Sequence, residues 1–233
     1  MDGSVVSTPE NLRPIRAHGV RACLVLGAAL VLAATQARAE TVTFEPSEFG
    51  TIPAEFEFGL AGNGGPGRWE VVRDETAAGG KALAQLSTSP DDYRFLVAIY
   101  KPVVAADVEV TTRFKPVSGK TDQAGGVAVR IVDANNYYLA RANALEDNVR
   151  FYRIARGKRQ QLADAKAKVA TGQWHTLTLR AQGDRFTVIF DGKPMHTTTD
   201  TTSSPRPGKG RVGVWTKADS VTHFDRIDIN VLP

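Results

Sequence analysis

Cysteine is all but missing from this chain. Cys23 stands alone among 233 residues, in an apolar N-terminal stretch that is expected to be removed. The mature protein therefore has neither a disulfide framework nor thiolate chemistry. An excess of either charge is missing too. The chain carries 29 basic and 25 acidic residues, and four of the arginines and two of the acids fall in residues 1–39. The remainder holds 25 basic and 23 acidic residues, a balance of +2, too small for a general nucleic-acid binder. Heptads, internal repeats and long charge runs are lacking, as are a phosphate loop, a metalloprotease helix and a Ser-His-Asp set.

The N-terminus reads as a secretory signal. Arg13 and Arg16 precede the apolar run Val20 to Thr35, Arg21 stands at its start, and Ala37-Arg38-Ala39 follows it with small residues suited to a signal peptidase. The run is too short and too rich in alanine for a good membrane span. Residues 1–39 are thus expected to be a signal peptide and residues 40–233 a single mature domain with no membrane span. Export without disulfides fits a bacterial periplasm or the medium, because a domain of this size can rest on its own core.

From Glu40 onward, short alternating runs are separated by turn residues, the spacing of a β-sandwich. Strands are expected near Val42, Arg68 to Arg73, Ala82 to Leu86, Tyr93 to Tyr100, Val108 to Phe114, Trp174 to Leu179, Phe186 to Phe190, Gly210 to Thr216 and Phe224 to Val231. Pro46 to Gly67 and Thr197 to Gly210 read as loops. Gln161 to Val169 has helix-forming composition, yet at about two turns it is too short to stand alone, so a turn or irregular strand is expected there.

The centre is Gly125 to Ile154, a hairpin followed by a third strand. Val127, Val129 and Ile131 alternate with Ala128, Arg130 and Val132, and Asp133 to Asn136 is turn chemistry. A two-residue loop at Ala134-Asn135 pairs Asp133 with Asn136 and Arg130 with Leu139. Val127, Val129 and Ile131 then face the core with Tyr138, Ala140 and Ala142. Arg130, Tyr137 and Arg141 are set on the opposite, solvent-accessible face, joined by Arg150 and Tyr152, or by Arg153. Guanidinium groups suit carboxylates and sugar hydroxyls, and tyrosine rings suit the CH face of a sugar. The plainer reading is a solvated sheet face balanced by Glu146 and Asp147. Trp215 alternates away from Val212 and Val214 and is the best exposed-aromatic candidate, whereas Trp174, like Tyr138, reads as packing. Asn143, Glu146, Asp147 and Asn148 form a polar bend, a turn in the plain reading and a structural Ca²⁺ site in the sharper one. No other cofactor or metal is expected, since His175, His196 and His223 are too scattered for zinc.

GGVAVRIVDANNYYLARAN, then Gly172 to His175, then Phe190 to Gly192, then GRVGVWTKADSVTHFDRIDI resemble in that order the laminin-G-like jelly rolls of the concanavalin A-like lectin/glucanase superfamily. The nearest branch is the bacterial domain of unknown function related to 3-keto-disaccharide hydrolases. The resemblance implies an all-β fold, a two-sheet antiparallel jelly-roll sandwich, with one concave sheet that commonly receives carbohydrate. It stops short of a catalytic site. Superfamily glucanases project alternate carboxylates from one strand, because i, i+2 spacing supplies the separation that retaining hydrolysis needs. Here Glu55-Phe56-Glu57 falls in an apparent loop, and Asp225 and Asp228 fall on opposite faces of a strand. Gln123 to Gly126 replaces the Asn-Ser-Gly step of the hydrolase-related domain.

Two function classes follow, an exported carbohydrate-binding module with acidic glycans among its expected ligands, and a glycoside-cleaving enzyme with an unusual acid pair. A structural protein–protein domain is a third reading. If the leader is processed as expected, mass spectrometry of exported protein finds an N-terminus at Glu40, and an intact Met1 refutes it.

Overall fold

The alternating runs become fifteen strands among the described residues of the computed structural model, which are residues 1–4, 38–202 and 206–233. Nearly all of the expected leader lies outside them. The strands are β1 (Arg38–Thr43), β2 (Phe56–Gly62), β3 (Trp69–Arg73), β4 (Lys81–Gln85) and β5 (Arg94–Ala105). Then come β6 (Val108–Ser118), β7 (Ala124–Asp133), β8 (Asn136–Asn143), β9 (Asn148–Ala155) and β10 (Lys158–Lys166). The last are β11 (His175–Gln182), β12 (Arg185–Phe190), β13 (Lys193–Thr199), β14 (Gly210–Lys217) and β15 (Val221–Val231). Their ladders are antiparallel and form two sheets. One runs β13-β12-β11-β6-β15-β4-β3, with β1 also beside β15, and the other runs β10-β9-β8-β7-β14-β5-β2. The chain is therefore an all-β jelly-roll sandwich.

Alternation decides which side chains go between the sheets. Val127, Val129, Tyr138, Ala140 and Phe151 from one sheet meet Leu177, Leu179, Phe186, Val188 and Phe190 from the other. The residues in between, Ala128, Leu139, Tyr152 and Trp215, point to the opposite side of the seven-stranded sheet and form a second apolar cluster with Phe95, Val97 and Ile99. Two expected loops hold strands. Pro46 to Gly67 contains β2, and Thr197 to Gly210 begins inside β13. The run Gln161 to Val169 lies in β10 as far as Lys166, irregular as expected, with a register shift between Gln161 and Ala163.

The seven-stranded sheet is strongly curled. Arg159 on edge strand β10 puts its guanidinium 5.0 Å from the ring of Phe95, five strands away on β5. Across the same concavity, Gly59 on β2 lies so near the β7–β8 turn that a Cβ there would stand 2.6 Å from the Cβ of Ala134. Only glycine fits such an approach.

The central hairpin has the expected turn and a different register beyond it. Asp133 pairs with Asn136, and the Asp133 carboxylate accepts from the Asn135 amide at 2.7 Å. The ladder then slips by two residues, so that Val129, not Ile131, faces Tyr138. Arg130 sits in the slip with φ at +51°, a conformation that bulges relieve. The bulge turns Arg130 inward and Ile131 outward, the reverse of the expected faces. Arg130 donates to the carbonyls of Ala106 at 2.6 Å and Gly183 at 2.8 Å, lies 3.2 Å from Asp107, and rests over the Phe186 ring. It clasps the two sheets together at one end.

Val129 is fully buried between the sheets. Replacing it by Asp places a carboxylate there with no partner, at a cost that rivals the whole stability of a domain. The V129D variant is expected to lose its cooperative thermal transition by circular dichroism, and a transition like that of the wild type contradicts the packing.

Candidate functional site

Of the six residues marked by the sequence, three converge and three do not. Arg141, Arg150 and Tyr152 meet on the concave side of the seven-stranded sheet, on neighbouring strands β8 and β9. Arg130 is excluded by the bulge and is buried between the sheets. Tyr137 shares the concave side but is fully buried, and its hydroxyl accepts from Trp215 Nε1 at 3.0 Å. Trp215 is likewise fully buried, so it is no exposed platform. The sheet's curl closes over these two rings, which strand alternation alone could not reveal. Trp69 belongs to the inter-sheet core. Trp174 lies on the far side of the other sheet, over Arg113 and Lys115, with its Nε1 donating to Thr76.

Around Arg141 the concave side becomes polar. Arg141, 1% exposed, donates from Nη2 to Glu146 at 3.0 Å, to Asn148 at 3.2 Å and weakly to the Tyr152 hydroxyl at 3.4 Å. Its Nη1 stands 3.6 Å from Asp122. Asp122, equally buried, is held on its other oxygen by Lys217 at 2.5 Å and also accepts from Asn143. Glu146 is the hub. It accepts from Arg141, Asn143, Asn148 and Arg150, and Arg150 reaches on to Asp164 at 3.1 Å. Lys217 was legible in retrospect, because it follows Trp215 by two residues and must share its face. Asp122 precedes its strand and carries no such signal.

The two carboxylates shift in opposite senses. Burial raises the Asp122 pKa above the ordinary carboxylate value, outweighing the hydrogen bond and charge of Lys217. Burial also pushes Glu146 up, but its hydrogen bonds from Arg141 and Asn148 and the charges of both arginines prevail and bring it to about 2.

The polar bend after β8 is a turn. Asn143 accepts from the Leu145 amide, and Asp147 accepts from the Val169 amide and pairs with Lys168. Among the described residues no group of three or more His, Cys, Asp and Glu side chains is arranged to hold a metal. His175 and His223 are apart, each bonded to its own aspartate, Asp191 and Asp74. Neither acidic run supplies a carboxylate pair to this cluster. Glu57 pairs with Arg211, Asp225 accepts from the Ala78 amide, and Asp228 pairs with Arg226 on the other sheet.

Beyond Tyr152 lies a residue that the sequence did not mark. Arg159 is sandwiched between two rings, 4.6 Å from the centroid of Tyr152 and 5.0 Å from that of Phe95. Its amide donates to the Tyr93 hydroxyl at 3.2 Å.

The fold is shared with solved structures. A carbohydrate-binding module of class 66 from Bacillus subtilis superposes with a TM-score of 0.54 at 21% identity, over 72% of this chain and 91% of its own. A Bacillus subtilis protein of unknown function with a galectin-like fold gives 0.53 at 11% identity, over 77% and 91%. A carbohydrate esterase from the Shiga toxin-encoding bacteriophage phi24B gives 0.51 at 18%, over 83% and 97%. At these identities the likeness concerns the fold. None of the curated proteins compared with the chain matches it. The class is thus that of the all-β jelly-roll sandwiches. Within it, residues 60–230 match the model of the 3-keto-alpha-glucoside-1,2-lyase-like domain, and the chain belongs to that family.

Glu146 makes the site sensitive to acid. Its pKa in the folded state lies below its ordinary 4.5, so its stabilisation is full above that value and is lost as pH falls toward 2. Asp122, shifted upward, acts in the opposite sense and is relieved by acid. Asp74, Asp200 and Asp219 are lowered like Glu146, so E146Q is expected to flatten the acid limb of a stability–pH profile without abolishing it. An unchanged limb in urea titrations between pH 5 and 2 contradicts this role.

Proposed function

We propose that this chain is an exported carbohydrate-binding module that receives its ligand on the concave side of the seven-stranded sheet, at the Arg141–Arg150–Tyr152 cluster. The observation that carries the reading is the convergence of Arg141 and Arg150 on Glu146, with the Tyr152 hydroxyl beside Arg141 and with Arg150 and Glu146 partly open to solvent at the rim. Family membership supports a sugar ligand, since the family is described by a glucoside, and the same description names a lyase. Glu146 is not poised for acid–base chemistry, and the way to Asp122 is restricted. Glu146, near 2, is a weak base, and Asp122 is closed in by Lys217 and Asn143.

One observation favours a second reading. A 1,2-lyase acting on a 3-keto-glucoside removes the C2 proton beside the ketone and breaks the C1–O bond. The leaving alcohol takes up a proton, and an enone remains. Such a step uses a base together with cations for the enolate oxygen. Asp122, raised by burial between Lys217 and Arg141, is the group that combines them.

Calorimetry with a panel of oligosaccharides, paired with an absorbance assay for enone release from a 3-keto-α-glucoside, separates the two. Binding without turnover, weakened about tenfold or more in R150A, is the expected result, because hydrogen bonds to charged groups are the strong ones. Turnover abolished by D122N supports the lyase, and the absence of both binding and turnover removes the site from function.

A further inference from the structure

Lys217 and Asp122 are placed as two reactants would be. They belong to neighbouring strands, since β14 runs beside β7 with Thr216 opposite Gly125, and Asp122 stands two residues before β7 begins. Lys217 Nζ lies 2.5 Å from Asp122 Oδ2, and the two side chains are 8% and 1% exposed. Asp122 is held from behind. The Asp219 carboxylate accepts from the amides of Lys120 at 2.7 Å, Thr121 at 3.1 Å and Asp122 itself at 2.9 Å, which fixes the backbone that carries it. Its other oxygen, Oδ1, accepts from Asn143 Nδ2. Oδ1 also lies 3.6 Å from Arg141 Nη1, a buried nitrogen with no hydrogen-bond partner among the described residues. A second carboxylate, Asp92, meets the same Nζ from the solvent side and is itself 73% exposed.

An exposed lysine and aspartate stay an ion pair, because water hydrates both charges and hydrolyses any ester or amide precursor. This pair differs in three respects. Burial favours the uncharged acid form of Asp122. Fixing the two groups side by side is equivalent to an effective concentration of about 10⁵ M or more. The donors on Oδ1 stand where negative charge develops when a nucleophile adds to the carboxyl carbon. Residues 38–233 contain no cysteine, so no disulfide ties these strands together.

We infer that Lys217 and Asp122 condense to an intramolecular isopeptide bond, which staples β14 to the segment before β7. The ammonium first passes a proton to Asp122 Oδ2, leaving an amine beside a carboxylic acid. The Nζ lone pair then forms a bond to Cγ, and the negative charge moves onto Oδ1, towards Asn143 and Arg141. Asp92 takes the proton that the nitrogen sheds and returns it to Oδ2. The Cγ–Oδ2 bond breaks, one water leaves, and the carbonyl re-forms as an amide. No oxidant or other co-reactant is consumed. The linked form has no Asp122 carboxylate to act as a base, so the bond excludes the lyase reading and leaves the sugar-binding reading as it stands.

The test is intact-mass spectrometry of the denatured protein, compared with the mass of its sequence from its own N-terminus. The wild type is expected to be lighter by one water, and K217R and D122A are not. Trypsin is expected to release a branched peptide joining residues 121–130 to residues 212–226, because a linked Lys217 is no longer cut. D92N, altered at an exposed position, is expected to link about tenfold or more slowly in a time course after refolding. A wild-type mass equal to that of its sequence overturns the inference whether or not the variants fold, as does a water lost equally by K217R and D122A. Linking of D92N at the wild-type rate overturns the proton path through Asp92.

Discussion

A guanidinium removed from water must be met by enough carboxylate and carbonyl oxygen to replace its hydration, and Arg141 imposes that condition on one end of the molecule. Its charge is answered by Glu146 and Asp122, Asp122 in turn by Lys217, and Glu146 in turn by Arg150. Five ionised side chains from β8, β9, β14 and two loops are therefore interdependent. Removing Asp122 strands the buried cations Arg141 and Lys217, and removing Lys217 takes the closest cation from buried Asp122; such deletions destabilise more than the pairs themselves stabilise. The bend between β8 and β9 and the loop before β7 have their conformations for this reason, since each supplies a carboxylate to the same arginine.

The concave side is divided by this condition. One part, built on Phe95, Val97, Leu139, Ile154 and Trp215, is a second apolar core that closes on itself through the curl. The other part is ionic, and Tyr152 stands on the boundary, with its ring among the apolar residues and its hydroxyl near Arg141. On the concave side, among the described residues, water exclusion and charge meet at that boundary. The sugar-binding and lyase readings both fall there, although they differ in what Asp122 is asked to do.

Much of the sandwich was legible because alternation is a local property. The strands around Val127, Leu177 and Phe186 could be read from period two alone, and the Asp133 to Asn136 turn from residue type. Arg130 marks where that reading failed. A bulge is decided by what the extra residue can reach, and the carbonyls of Ala106 and Gly183 are distant in sequence. Arg141, Arg150 and Tyr152 were found because they are cross-strand neighbours in one hairpin-and-strand unit. Tyr137 and Trp215 were misjudged for the opposite reason. Facing away from the inter-sheet core suggested exposure, whereas the curl of a seven-stranded sheet is a global property that buried both. The same curl brings Arg159 to Phe95, a meeting no local pattern announces.

Strand β1 lies against β15 with Arg38 opposite Val231. The first described strand and the last are therefore direct hydrogen-bonded neighbours, as if the domain were a loop cut open at one point of its sheet. Fraying at either terminus exposes the ladder of the other, which couples two places that are farthest apart along the backbone. A circularly permuted gene that joins 231 to 38 through a short linker and opens a surface turn elsewhere would preserve that ladder as a hairpin. A tag or fusion partner at the C-terminus, by contrast, emerges beside the first strand and meets its edge.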